Sequence, residues 1–97
     1  MELTRNIGSN RGQARVWIEG NALAVNGWTK GMPYERILSG NKFLLSKTSK
    51  GKLKVAGTDV RPILDLCGAY VTKALQGFEK VSVSIDNGSI IIKGIKS

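Results

Sequence analysis

The residues of this chain with the strongest chemical character are its cations. Fifteen lysines and arginines stand against seven aspartates and glutamates, which gives a net charge of +8 in a chain of 97 residues. A field of this sign attracts polyanions, and salt weakens it. The densest run of cations lies in residues 47–54. We therefore expect phosphate backbones as the first partner, acidic protein surfaces as the second and anionic membranes as a distant third.

Eight of the cations are predicted to contact nucleic acid. Lysine and arginine on phosphates supply affinity without sequence information, whereas Arg, Asn and Gln at base edges can discriminate bases. A cluster of the second kind lies at Asn10, Arg11, Gln13 and Arg15. The competing interpretation is a solvated charged face without a ligand. The predicted contacts are Arg5, Arg11, Arg15, Lys47, Lys50, Lys52, Lys54 and Arg61.

Catalytic and metal-binding residue types are scarce. The chain has no histidine and one cysteine, Cys67, and it lacks the Gly-x-Ser-x-Gly and phosphate-loop motifs. Glu19 and Asp65 could form a symmetric acidic pair. The favoured interpretation is that each carboxylate lies near the N-terminus of a short helix, where the helix dipole favours it. We predict no enzyme activity, no metal and no cofactor.

The elements that position these residues occur twice along the chain. Each half contains a short strand, a short helix, a glycine followed by an aromatic residue, and a hairpin. The first half has a strand at 16–18, a helix at 22–25 with Asn21 as N-cap and Gly27 as its stop, and a hairpin turning at Gly40. The second has a strand at 62–66, a helix at 68–75 ending at Gly77, and a hairpin turning at 86–88.

A unit of this size cannot bury its own apolar face, so the two halves are expected to complete one core. The predicted fold is mainly β with two short helices (α+β), and its pseudo-two-fold, β-barrel-like core comes from two β-α-β-β halves. Residues 1–14 are predicted to form a flexible basic arm and residues 15–97 a single domain. That domain divides into a half-repeat at 15–47, a basic connector strand at 48–61 and a half-repeat at 62–94.

Three further expectations follow from the apolar residues and the cysteine. Trp17 and Trp28 could stack on bases, but their positions in the pattern favour the core. The single Cys67 suits a reducing cytoplasm. No apolar run approaches the length of about 18 residues that a membrane span requires. We expect a cytoplasmic protein without a membrane partner.

Residues 22–34, which read Ala-Leu-Ala-Val-Asn-Gly-Trp-Thr-Lys-Gly-Met-Pro-Tyr, together with the hairpin at Gly40, resemble the AbrB/MazE/SymE group of swapped-hairpin DNA-binding domains. The SymE-like branch is nearest, although Met32 stands where the group has an aspartate. The second half follows the pattern more loosely, because Glu79 and Lys80 follow Phe78 where the first half has Thr29, Lys30 and Gly31. In this group two copies of the unit interlock, usually from two chains. The resemblance implies a monomeric pseudo-dimer or a homodimer.

The leading functional prediction is a small basic nucleic-acid-binding protein with DNA favoured over RNA. It would serve as a transcriptional regulator or antitoxin-like factor of bacterial or mobile-element origin. The alternative is a protein-binding inhibitor or antitoxin module, whose charge would accelerate association with an acidic partner. A third prediction, implied only by the resemblance, is a SymE-like RNA-targeting toxin.

Overall fold

The computed structural model describes residues 1–96 and contains ten strands and two short helices in that range. The prediction of a mainly β, α+β fold with two short helices is confirmed. No helix in the described part of the chain is long and apolar enough to cross a bilayer. In chain order the elements are β1 (Glu2–Asn6), β2 (Gly8–Asn10), β3 (Gln13–Glu19), α1 (Asn21–Ala24), β4 (Pro33–Ser39), β5 (Lys42–Lys47), β6 (Leu53–Lys54), β7 (Ala56–Gly57), β8 (Pro62–Cys67), α2 (Ala69–Ala74), β9 (Lys80–Ile85) and β10 (Ser89–Ile95).

The strands form two antiparallel sheets. One has six strands in the order β1-β9-β10-β5-β4-β6, and the other has four in the order β2-β3-β8-β7. The two halves of the chain contribute equivalent strands to these sheets. If each of β1 to β5 is exchanged with the strand five places later, β6 to β10, both strand orders are reproduced in the reverse direction. Within residues 1–96 the strand pairing closes neither sheet, so these residues form no closed barrel.

The core lies between the inner faces of the two sheets and is entirely apolar within the described residues. Trp28 is fully buried, its indole Nε1–H donates to the carbonyl oxygen of Asp86 at 2.8 Å, and its ring meets Tyr34 edge-on at 6.0 Å between centroids. The prediction of a core position is confirmed for Trp28. It is wrong for Trp17, which is 37% exposed. Val16 and Ile18 on either side of it face the core, so the alternation of the strand turns Trp17 outward.

Both helices begin after a glycine with positive φ. Gly20 and Gly68 are the N-caps, with φ of 90° and 141°. The prediction of Asn21 as N-cap is therefore wrong, because Asn21 is already the first helical residue. Gly27 and Gly77 follow the helices with φ of 81° and 87°, conformations that favour glycine.

The prediction of an irregular arm over residues 1–14 is wrong. Residues 2–6 form β1 and pair with β9 over five positions, and residues 8–10 form β2 and pair with β3. The amide of Ile7, between the two strands, donates to the carbonyl of Glu79 at 2.9 Å. Leu3 and Ile7 pack against the core. These two apolar side chains anchor a segment whose composition is otherwise polar, so it belongs to the domain.

Both hairpins are confirmed, with turns at Gly40 and at 86–88. The connector at 48–61 contains only two strands of two residues each, β6 and β7. β6 pairs with the start of β4, and β7 pairs with the start of β8. The connector is therefore shared between the two sheets.

Candidate nucleic-acid interface

Four exposed lysines come together beside the start of β4. Within β6, Leu53 pairs with Tyr34, and Lys54 pairs with Pro33. Next to this segment, the amide of Gly31 donates to the carbonyl oxygen of Val55 at 2.8 Å. The amide of Val55 donates in turn to the carbonyl oxygen of Met32 at 3.0 Å. These bonds bring the loop that carries one lysine against the segment that carries three. We call Lys30, Lys50, Lys52 and Lys54 the lysine cluster; all four are exposed.

Within residues 1–96 the lysine cluster has no carboxylate partner. Across residues 1–96 the one ion pair joins Arg15 to Asp65, which lie on β3 and β8 of the four-stranded sheet. Four like charges held on neighbouring segments repel one another, and this repulsion is relieved when an anion binds. The cluster is therefore a surface suited to a polyanion.

The position of the lysine cluster depends on a close backbone approach at Gly51. A Cβ atom at this position would lie 2.5 Å from the backbone N, C and O atoms of Tyr34. Only a residue without a side chain allows residues 50–54 to pass so near to β4. The amide of Gly51 also donates to the carbonyl of Thr48 at 3.0 Å, which closes the turn before β6.

Lys47, a predicted contact, is held against the core. Its side chain is partly buried, its Nζ lies 5.4 Å from the centroid of the Trp28 ring, and it donates to the carbonyl of Asn26 at 3.5 Å. Burial lowers the pKa of the Lys47 ammonium. Burial also raises the pKa of the neighbouring Tyr34 hydroxyl. Lys47 is thus engaged within the domain and is not a member of the lysine cluster.

Arg15, a predicted selectivity residue, is engaged within the chain. Its Nε and Nη2 both donate to the carboxylate of Asp65 at 2.9 Å, and its guanidinium carbon lies 4.3 Å from the centroid of the Trp17 ring. The hydrogen bond to Asp65 raises the pKa of Arg15. This geometry uses the bidentate fork that a phosphate or a guanine would need.

The same contact corrects the interpretation of the two carboxylates. Neither helix has an acidic residue in its first turn, so neither Glu19 nor Asp65 complements a helix dipole there. Asp65 lies opposite Trp17, and Glu19 lies opposite Ile63, so the two carboxylates occupy different rows of the sheet. No group of three or more Cys, Asp or Glu that could hold a metal is found in the described residues.

The remaining predicted contacts are dispersed. Arg5 lies on β1, and the lysine cluster adjoins β6, at opposite edges of the six-stranded sheet. Five inter-strand steps separate these edges, or about 24 Å. Arg11 lies in the turn between β2 and β3, and Arg61 lies in the turn before β8. Because β3 and β8 are antiparallel, these turns are at opposite ends of the four-stranded sheet.

Local sequence patterns did not indicate two further groups of exposed lysines. Lys30 joins the cluster only through the long-range bonds between its loop and Val55, which no local pattern reveals. Lys42 and Lys93 are direct cross-strand partners, and both are exposed on the outer face of the six-stranded sheet. This second pair has the same charge type as the cluster but lies elsewhere on the six-stranded sheet.

Comparisons with protein-family models, with curated proteins and with solved structures found no match to this chain. The functional argument therefore depends on the placement and chemistry of the residues themselves. Of the eight predicted contacts, three lie in the lysine cluster, Lys47 is held against Trp28, Arg15 is paired with Asp65, and three lie elsewhere on the surface.

Proposed function

We propose that this chain is a small nucleic-acid-binding protein that contacts the phosphate backbone, preferably of duplex DNA, through the lysine cluster. The observation that carries the proposal is the convergence of Lys30 with Lys50, Lys52 and Lys54, all exposed and free of carboxylate partners within residues 1–96. A phosphate backbone presents a row of anions that can neutralise several of these charges at once, and each contact releases counterions.

The proposed binding is governed by charge more than by base sequence. Lysine is a compact point charge on a flexible stem, so it contacts phosphates without the fixed fork that reads guanine. Of the predicted base-reading cluster, Arg15 is paired with Asp65, and the Gln13 amide oxygen accepts a hydrogen bond from the Thr72 hydroxyl at 2.7 Å. Arg11 remains exposed and is the proposed contributor to selectivity.

The proposal includes a pseudo-two-fold architecture of the AbrB/MazE/SymE kind, with both units in one chain. Support comes from the strand order, which reads the same after exchange of the two halves, and from the pairing of β3 with β8 and of β5 with β10. In this proposal β1 and β2 correspond to β6 and β7. A transcriptional regulator or antitoxin-like factor is the proposed role.

Removing the charge of the cluster is the direct test. The triple variant Lys50→Ala, Lys52→Ala and Lys54→Ala is expected to bind a duplex at least about tenfold more weakly at moderate salt. The plot of log affinity against log salt concentration is expected to lose up to about 2.7 units of slope, since each phosphate contact contributes about 0.9. Fluorescence anisotropy of a labelled duplex over a salt series measures both quantities.

A variant of equal charge change serves as the control. Lys80→Ala, Lys93→Ala and Lys96→Ala together remove three positive charges from β9, β10 and the residue after β10 instead of from the lysine cluster. This control is expected to retain most of the affinity and slope. Equal losses in the two triple variants would mean that net charge, and not the cluster, drives binding. A larger loss in the control would assign the site to the β9 and β10 side of the six-stranded sheet.

Arg15 provides a second, opposite prediction. Because its guanidinium is already bound by Asp65, Arg15→Gln is expected to change duplex affinity by less than about twofold, which is below the effect of one free phosphate contact. The same anisotropy assay measures it, with Lys52→Gln as the comparison. A tenfold loss in Arg15→Gln would show that the Arg15–Asp65 pair opens on binding.

A further inference from the structure

The second half of β4 is an open strand edge. β6 pairs only with Pro33 and Tyr34, and from Glu35 to Ser39 the strand has a ladder with β5 on one side alone. Apart from that ladder, no backbone hydrogen bond within residues 1–96 reaches this segment. At the opposite edge of the sheet, β1 covers β9 over five residues. Within the described residues β1 is itself unpaired on its outer side, but its exposed residues, Glu2, Thr4 and Asn6, are all polar. The two edges therefore differ in the side chains that accompany their free N–H and C=O groups.

The open edge carries exposed apolar side chains on both faces of the strand. Ile37 is 55% exposed on the outer face, and Leu38 is 45% exposed on the other. The one inward charge of the segment, Arg36, is withdrawn from the edge: its Nη1 donates to the Tyr70 hydroxyl at 2.9 Å, and its guanidinium carbon lies 4.2 Å from the Tyr70 ring centroid. A charge that would otherwise protect the edge is thus tied to a helix.

We infer that this edge pairs with the same edge of a second copy of the chain, antiparallel and centred on Ile37. In an antiparallel pair, directly opposed residues point to the same face of the sheet. The two-fold axis that relates the copies, perpendicular to the sheet, must therefore pass between one residue and the same residue of the other copy. Centring on Arg36 would set Leu38 of one copy opposite Tyr34 of the other, and the outer side of Tyr34 is already paired with Leu53 of β6. Centring on Ile37 opposes the two isoleucines, sets each Arg36 opposite a Leu38, and sets each Glu35 opposite a Ser39.

This register is complementary in apolar surface. Ile37 is the partner of Leu44 on β5, and Leu44 is the partner of Ile91 on β10, all on the outer face. Pairing about Ile37 joins this row to the same row of the second copy. The result is one continuous apolar stripe across the six-stranded sheets of the two copies. The exposed Ile37 side chains cover each other at its centre.

The register is also complementary in charge. Ser39, which would face Glu35 of the other copy, has Lys42 as its partner on the far side, in the same row. Glu35 of one copy and Lys42 of the other would then be two strand steps apart, about 10 Å between Cα atoms, with only a small serine between two long side chains. Lys42 faces Lys93 within its own chain, and Glu35 has no ion pair within residues 1–96, so both charges gain from this approach.

The inferred dimer has one consequence for nucleic-acid binding, and this consequence alone rests on the proposed function. The lysine cluster adjoins the N-terminal end of β4, so antiparallel pairing places one cluster at each end of the joined strands. A two-fold protein with two phosphate-binding clusters suits a two-fold duplex. The dimer itself is tested without nucleic acid, so its failure is distinguishable from failure of phosphate binding.

Sedimentation equilibrium of the full chain, from low micromolar to near-millimolar concentration, measures the monomer–dimer equilibrium. We expect a reversible dimer whose Kd rises more than about thirtyfold in Ile37→Lys, because two desolvated cations replace the central contact. Ile91→Lys changes an exposed isoleucine of the same face away from the edge, and it is expected to leave the Kd within about threefold. A wild-type chain that stays monomeric throughout, or an unchanged Kd in Ile37→Lys, would overturn the inference.

A charge swap tests the register and remains informative if Ile37→Lys fails to fold. Glu35→Lys and Lys42→Glu are each expected to weaken the dimer about tenfold, because two attractive approaches become repulsive. The double variant restores both attractions and is expected to return the Kd to within about threefold of the wild type. Additive losses in the double variant would refute the pairing of Glu35 with Lys42.

Discussion

Trp28→Ala is expected to lower the free energy of unfolding by about 3–5 kcal/mol. The side chain is fully buried, its indole N–H is bonded to the carbonyl of Asp86, and its ring contacts Tyr34 edge-on. A domain of this size has a stability of about 5–15 kcal/mol, so the loss is a large share of the total and unfolding is expected at a much lower urea concentration. Urea denaturation followed by far-ultraviolet circular dichroism measures the change.

Trp17→Ala is the matched control for this prediction. The ring is partly exposed and mainly supports the Arg15 guanidinium, so its removal is expected to cost about 1 kcal/mol or less. Comparable losses in the two variants would contradict the assignment of Trp28 to the core and Trp17 to the outer face.

Gly51→Ala is expected to lower the free energy of unfolding by about 3 kcal/mol and to weaken duplex binding in the same variant. The added Cβ would lie 2.5 Å from the Tyr34 backbone, so residues 50–54 must move away from β4. Because these residues carry three lysines of the cluster, their displacement disturbs the proposed phosphate contacts. Urea denaturation and the duplex anisotropy assay report the two effects separately.

Gly88→Ala provides the corresponding control. Gly88 lies in the turn before β10, its φ is not positive, and a Cβ there would meet no atom within 4 Å. The substitution is expected to change stability by less than about 0.5 kcal/mol, or to increase it slightly by restricting the unfolded chain. If Gly51→Ala were equally neutral, the close approach of residue 51 to Tyr34 would be refuted.

Local pattern was sufficient for the elements whose hydrogen bonds are local. The hairpin of β9 and β10 was predictable because Val81, Val83 and Ile85 alternate with serines and a turn sequence follows. The glycine stops at Gly27 and Gly77 were predictable because positive φ there favours glycine. The start of the first helix was not predictable in this way. Asn21 is a residue type that favours the N-cap, but the N-cap is Gly20, whose positive φ sets the entry to the helix.

The candidate site was only partly predictable from the sequence. Lys50, Lys52 and Lys54 were visible as a charge run, and the structure leaves them exposed and together. Lys30 was not, because its loop meets Val55 across more than twenty residues of chain. The sequence predicts Arg15 as a nucleic-acid contact, but strand pairing between β3 and β8 brings Asp65 within its reach.

The sequence by itself determined the charge of this protein, the alternation of its strands and the position of its turns, because these depend on residue types within a few positions. Tertiary structure alone decided that the polar N-terminal segment becomes a strand, that Trp17 faces outward, and that one cation is neutralised while four others converge. It also decided that β4 keeps an open edge. Each of these outcomes depends on which distant strand becomes a neighbour. That pairing is stabilised by apolar burial that exists only once the two sheets have packed together.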